Sequence, residues 1–78
     1  MKKSFKFYIF FPSDLFANPA EIKTNFDLHI GDHLDFFDHQ LCEELTDLYK
    51  TSMFIIKQRE FSVEFNEMLL MVEPYIKI

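Results

Sequence analysis

Residues 53–77, MFIIKQREFSVEFNEMLLMVEPYIK, decide the fold. Apolar residues dominate both ends of this stretch and polar ones are concentrated in its middle. The alternation of apolar and polar side chains predicts two strands, in residues 53–65 and 68–77. Asn66-Glu67 fits the turn between them, because asparagine tolerates a positive φ. The stretch is therefore predicted to form a β-hairpin.

The first of these strands changes phase along its length. Phe54 and Ile56 alternate in one phase, whereas Phe61 belongs to the opposite phase. A regular strand cannot turn both sets toward one core, because its side chains alternate strictly between the two faces. We therefore predict a bulge or kink between Lys57 and Glu60.

Two apolar segments, the first of them inside the second hairpin strand, predict strands that are covered on both faces. Leu69 to Val72 is a continuous apolar run, and Pro74 is expected to weaken or end its pairing. Residues 4–11 are apolar on both sides and end at Pro12. One side of that strand carries Phe5, Phe7, Ile9 and Phe11, and the other carries Lys6, Tyr8 and Phe10.

The strongest helix prediction is residues 39–50. Asp38 is a suitable N-cap, and Lys50 suits the negative end of the helix dipole. One apolar stripe at helical spacing comprises Leu41, Cys42, Leu45, Leu48 and Tyr49.

The segment between the first strand and this helix is less regular. Asn18-Pro19 predicts the start of a short helix through residues 20–25, with Ile22 and Phe26 turned inward. Residues 27–37 alternate as in a strand, interrupted by a turn or bulge at Gly31-Asp32. The apolar positions of that alternation are Leu28, Ile30, Leu34 and Phe36.

The predicted order of elements is therefore β-α-β-α-β-β within a single domain, residues 1–78. This order predicts an α+β fold, with a small antiparallel sheet of about four strands and one amphipathic helix packed on it. The alternative is a small open β-barrel with a helical insertion.

Composition limits the classes of function. The 78 residues include eleven phenylalanines and a single cysteine, Cys42, and carry a formal net charge of −5. The charge argues against direct binding to nucleic acid or to an anionic membrane. A lone cysteine and the absence of a long apolar run favour a cytoplasmic protein that is complete from Met1, without a signal peptide or membrane span.

Negative charge is concentrated in the middle of the chain. Residues 24–49 contain neither lysine nor arginine, and residues 27–47 form an acidic segment. Such a segment can simply be a solvated surface. It can also attract a basic partner protein through electrostatic steering, which we take as the functional prediction. The partner-binding candidates are Asp32, Asp35, Asp38, Glu43, Glu44 and Asp47.

Two other functions are compatible with the same residues. The first is an inhibitor that mimics nucleic-acid phosphates, of the type encoded by phages or mobile elements. The second is a small metal- or cysteine-dependent enzyme. His29, His33 and His39 alternate with carboxylates but match no metal motif, and Glu43 disfavours a reactive thiolate at Cys42. We therefore predict no enzyme activity, no catalytic residue, no cofactor and no metal ligand.

Self-association is a separate expectation. Four aromatic residues fall outside the predicted core faces: Tyr8, Phe10, Phe37 and Tyr75. Soluble monomers rarely expose large apolar patches, and two-fold dimers are the commonest oligomers. The sequence therefore predicts a homodimer.

Overall fold

The computed structural model describes residues 4–12 and 19–76 and contains, in that part, five strands and one helix. The elements are β1 (Phe5–Phe10), β2 (Ala20–Thr24), β3 (His33–Asp35), α1 (Cys42–Tyr49), β4 (Met53–Ser62) and β5 (Glu67–Pro74). The strands form one curled sheet in the order β2-β1-β5-β4-β3. The α+β class is confirmed. The sheet has five strands rather than four, and it is mixed, because β1 and β5 pair in parallel.

The hairpin of β4 and β5 follows the sequence pattern closely. Its ladder is interrupted between Ile56 and Gln58, so Lys57 is the extra residue of a bulge. The turn ends with Asn66 at φ 56°, and β5 ends at Pro74. The predicted bulge is confirmed, as is the positive φ of Asn66. The turn comprises residues 63–66, so β4 is shorter than predicted, and Glu67, expected in the turn, is the first residue of β5.

The predicted helix in residues 20–25 is wrong, because Ala20–Thr24 forms strand β2. This strand pairs antiparallel with β1, and Ile22 lies opposite Phe7. The sequence Ala-Glu-Ile-Lys-Thr alternates with period two as well as fitting a helix turn. Pairing with the edge of β1 satisfies backbone N–H and C=O groups along this segment, which favours the strand over the helix. Asn18, the proposed cap, lies outside the described residues.

In the second alternating segment, residues 27–37, the only strand is the short β3. Ile30 is 62% exposed, which corrects its expected core position. It precedes Gly31, which adopts φ 96° in a turn. Because Gly31 N donates to the carbonyl of Ile56, this turn is fixed against β4. Leu34 and Phe36, beyond the turn, face the core as predicted.

Helix α1 begins three residues later than predicted, and Asp38 does not cap it. The N-cap position is Leu41, without a side-chain cap. A tight turn precedes the helix instead, since His39 Nδ1 accepts a hydrogen bond from Leu41 N (3.1 Å). At the other end, Lys50 has a left-handed conformation (φ 65°). Its Nζ donates to the Asp47 carbonyl (3.1 Å), as expected for a cation at a helix C-terminus.

The core lies between α1 and one face of the sheet, here called the inner face. Phe54 is central, with its ring edge-on to Phe11, Phe36 and Tyr49 at centroid distances of 5.1–5.8 Å. Leu45 is the buried residue of α1. The buried set comprises Phe7, Ile9, Ala20, Phe36, Leu45, Phe54, Ile56, Leu70 and Val72.

The opposite side of the sheet, here called the outer face, is also apolar. Tyr8 lies beside Leu69 and Phe10 beside Met71 in the parallel ladder of β1 and β5. All four are partly exposed. The described part of the chain contains no second helix to cover them. The expectation that both strands are covered on both faces is therefore met on the inner face alone.

Candidate contact surfaces

The acidic segment provides four exposed carboxylates around α1. Glu43 and Glu44 lie in its first turn, Asp47 in its second half, and Asp38 in the turn that precedes it. Within residues 4–12 and 19–76, none of these four carboxylates forms an ion pair. The nearest cation that the described hydrogen bonds show is Lys50, whose Nζ contacts the main-chain carbonyl of Asp47 and not its carboxylate.

Two other candidates contribute to local structure. Asp32 Oδ2 accepts a hydrogen bond from His29 N (2.8 Å), which closes the turn at Gly31. Asp35 Oδ1 accepts hydrogen bonds from Phe37 N (3.0 Å) and Ser52 Oγ (2.9 Å). These carboxylates stabilise the turns on either side of β3, a role that the charge pattern does not reveal.

Asp35 and Asp38 line one surface cleft of about 280 Å³, together with His33 and His39. The ring of His33 lies 4.5 Å from that of Tyr75. Within the described residues, no three histidine, cysteine or acidic side chains are placed to hold a metal ion together. Asp38 therefore belongs both to this cleft and to the carboxylates around α1, whereas Asp35 belongs to the cleft alone.

Sequence reasoning missed the role of Asp27. The bulge turns Arg59 to the inner face, where Nη2 donates to Asp27 Oδ1 (3.0 Å) and Nη1 lies 2.7 Å from His29 Nδ1. A guanidinium can only donate, so Nδ1 is the acceptor and Nε2–H of His29 is free to donate to Asp27 Oδ2 (3.1 Å). This cluster fixes the segment between β2 and β3 to β4. The predicted bulge was the only sequence signal for it.

The outer face contains an apolar groove of about 370 Å³. Tyr8, Phe10 and Leu69 form part of its lining, and Phe65 from the β4–β5 turn forms one wall. Phe65 is 71% exposed, although its sequence pattern predicted a strand position. Of the four aromatic residues expected outside the core, Tyr8 and Phe10 therefore lie at one site.

Charged residues border this groove. Lys6 Nζ lies 3.2 Å from Glu21 Oε1 and 3.4 Å from Glu67 Oε1. Hydrogen bonding with Tyr8, and then with Glu21, raises the pKa of Lys6 above its ordinary value. Lys6 is therefore a positive charge paired with Glu67, which lines the groove.

The remaining candidates give weaker chemical signals. Cys42 is half-buried at the start of α1, with Sγ 4.0 Å from Thr46 Oγ1. In the described ranges, α1 falls far short of the length and apolarity that a membrane-crossing helix requires. No protein-family model, curated protein or solved structure matches this chain.

Proposed function

We propose that this protein acts by contact, binding a partner protein with a basic surface through Asp38, Glu43, Glu44 and Asp47. The observation that supports the proposal is the exposure of these four carboxylates without ion-pair partners in the described chain. A cluster of uncompensated charge attracts the opposite charge over a Debye length, about 8 Å at physiological salt.

The charge of α1 also has a structural effect that must be separated from binding. Carboxylates in a first turn favour the positive end of the helix dipole, which applies to Glu43 and Glu44. Asp47 lies too far along the helix to gain from that effect, and it faces Glu43 at i, i+4, which is mildly unfavourable. Helix stability alone therefore does not account for the whole cluster.

Partner capture at two salt concentrations tests this proposal with matched variants. Glu44→Gln removes one charge from the cluster. The control, Glu64→Gln, removes one charge from an exposed position of the hairpin turn. We expect the cluster variant, but not the control, to lose several-fold of the captured protein at low salt. Salt at about 1 M shortens the Debye length to about 3 Å and is expected to release the partner from the unaltered protein.

The proposal is wrong if both variants capture the same proteins in the same amounts. It is also wrong if capture does not respond to salt. Circular dichroism of each variant establishes that α1 is still folded, so loss of the helix cannot be mistaken for loss of a contact.

A further inference from the structure

The outer face combines an apolar band with a border of mixed charge. The band runs along neighbouring strands, with Tyr8 and Phe10 on β1 and Leu69 and Met71 on β5. Phe10 is 37% exposed and Phe65, at one end of the band, is 71% exposed. This combination of apolar centre and polar border is typical of protein interfaces.

The border contains charges of both signs, unlike the acidic segment. Its residues are Lys6, Lys23 and Lys57 together with Glu21, Glu60, Glu67 and Glu73. Lys6 lies near Glu21 and Glu67, and Lys57 Nζ lies 3.8 Å from Glu73 Oε2. Two copies of a chain with net charge −5 repel each other overall. With three lysines and four glutamates, this border has a net charge of only −1, so the repulsion between two copies is weak there.

We infer that the outer face packs against the outer face of a second copy of this chain, forming a two-fold symmetric dimer of two stacked sheets. Stacked sheets lie about 10 Å apart, which the interdigitating side chains of the two apolar bands fill. A stable interface buries about 800 Å² per partner. The two longer axes of the molecule measure 36 and 27 Å, so an interface of that size takes up most of one side of it.

The pairing of β1 with β5 makes this face self-complementary. β1 and β5 are parallel neighbours at the centre of the sheet. A two-fold axis parallel to these strands, lying between the two stacked sheets and midway between β1 and β5, places β1 of one copy opposite β5 of the second. Because the axis runs along the strands, residues that are paired within one sheet stay at the same height along it. Tyr8 of one copy then lies opposite Leu69 of the second copy, and Phe10 opposite Met71. Lys6 of one copy lies opposite Glu67 of the second. Apolar residues thus meet apolar residues, and opposite charges meet at the border.

This arrangement leaves the acidic cluster free. Helix α1 packs on the inner face, so the two copies of α1 lie on the outsides of the stacked sheets. The dimer therefore presents two acidic clusters, and two linked sites raise the avidity for a repeated basic partner. The dimer does not depend on the proposed partner, and its test is independent of partner capture.

Sedimentation equilibrium of the purified protein tests this inference, over protein concentrations from about 1 μM to about 1 mM. We expect a monomer–dimer equilibrium for the unaltered chain. Phe10→Lys places a charge in the apolar centre, and we expect it to raise the dissociation constant by about 100-fold or more. Phe26→Lys is the matched control, because Phe26 is 74% exposed after the end of β2 and is not part of the band. It is expected to leave the equilibrium unchanged.

Phe65→Lys is the second variant, because Phe65 lies in a turn and contributes nothing to the core. It is expected to weaken the dimer without changing the circular dichroism spectrum, which keeps the test valid should Phe10→Lys fail to fold. A monomer at every concentration overturns the inference, whether or not another protein covers the face. So does a dimer that is as strong in both outer-face variants as in Phe26→Lys.

Discussion

The two faces of the sheet are formed by the same strands and differ in how far their apolar side chains are buried. Leu70 is fully buried on the inner face, whereas its neighbour Leu69 is partly exposed on the outer face. Phe10 and Met71, on the outer face, are as apolar as the residues that α1 covers. The difference lies in what covers each face, since one helix packs on the inner face and the described chain has no second helix for the outer one. An apolar face of a strand therefore indicates a contact, either with another part of the chain, as on the inner face, or with another chain, as we infer for the outer face.

The comparison also extends along the inner face. Before the bulge, Phe54 and Ile56 are fully buried beneath α1. After the bulge, Arg59 takes the corresponding inner position and is fixed by Asp27 and His29. The inner face is thus an apolar core at one end and a polar cluster at the other. Within the described residues, α1 is the one helix that covers this core.

The largest expected effect separates the two adjacent leucines. We expect Leu70→Ala to lower the free energy of unfolding by about 2–5 kcal/mol, because it opens a cavity in the core. Leu69→Ala is expected to cost less than about 1 kcal/mol in dilute solution, where its side chain is already partly in water. Urea denaturation at low protein concentration measures both. Equal losses at the two positions would mean that the faces are not distinct.

An intermediate effect is expected on either side of the bulge. Arg59→Ala removes hydrogen bonds to Asp27 and His29 and is expected to cost about 1 kcal/mol, since the cluster is partly exposed. Lys57→Ala removes an exposed ion pair with Glu73 and is expected to stay within about 0.5 kcal/mol. Amide hydrogen exchange at Gly31 reports whether the segment before β3 has become detached. Faster exchange in Lys57→Ala than in Arg59→Ala would contradict this account.

The smallest effect is expected at the border of the outer face. Lys6→Met removes ion pairs to Glu21 and Glu67 and is expected to lower the thermal midpoint slightly at low salt. The difference should vanish at about 1 M salt, where exposed ion pairs are screened. Because the folded state raises the pKa of Lys6, its contribution is complete below the ordinary value of 10.5 and is lost progressively as the pH rises from there through the raised value. Thermal melts at neutral and mildly alkaline pH should therefore show the same difference; a decline across that range would be inconsistent with these contacts.

The sequence predicts the local features of this fold well. The phase change between Ile56 and Phe61 requires a bulge, and Asn66 suits a left-handed turn, so both follow from the alternation of side chains and backbone stereochemistry. The non-local features could not be predicted in the same way. The short segment Ala20–Thr24 fits a helix or a strand, and its pairing with β1 decided between them. The parallel contact of β1 with β5 also joins segments far apart in the chain.

The candidate surfaces show the same division. The charge pattern located the acidic cluster, because charge is read directly from composition. It did not show that Asp32 and Asp35 close turns, since those hydrogen bonds depend on the position of His29 N and Ser52 Oγ. The only sequence signal for the outer groove was the set of aromatic residues that fall outside the predicted core faces. Phe65 lines the groove because the hairpin turn is longer than predicted and includes this residue.

The central claim is that the outer face is a contact surface in solution, and a soluble paramagnetic probe tests it most directly. Methyl resonances are compared at about 20 μM and about 1 mM protein, below and above the expected association. We predict that Leu69 and Met71 broaden at the lower concentration and are protected at the higher one. Leu70 and Val72 should be protected at both, and Ile30 should broaden at both. Equal broadening of Leu69 and Met71 at the two concentrations would contradict the account.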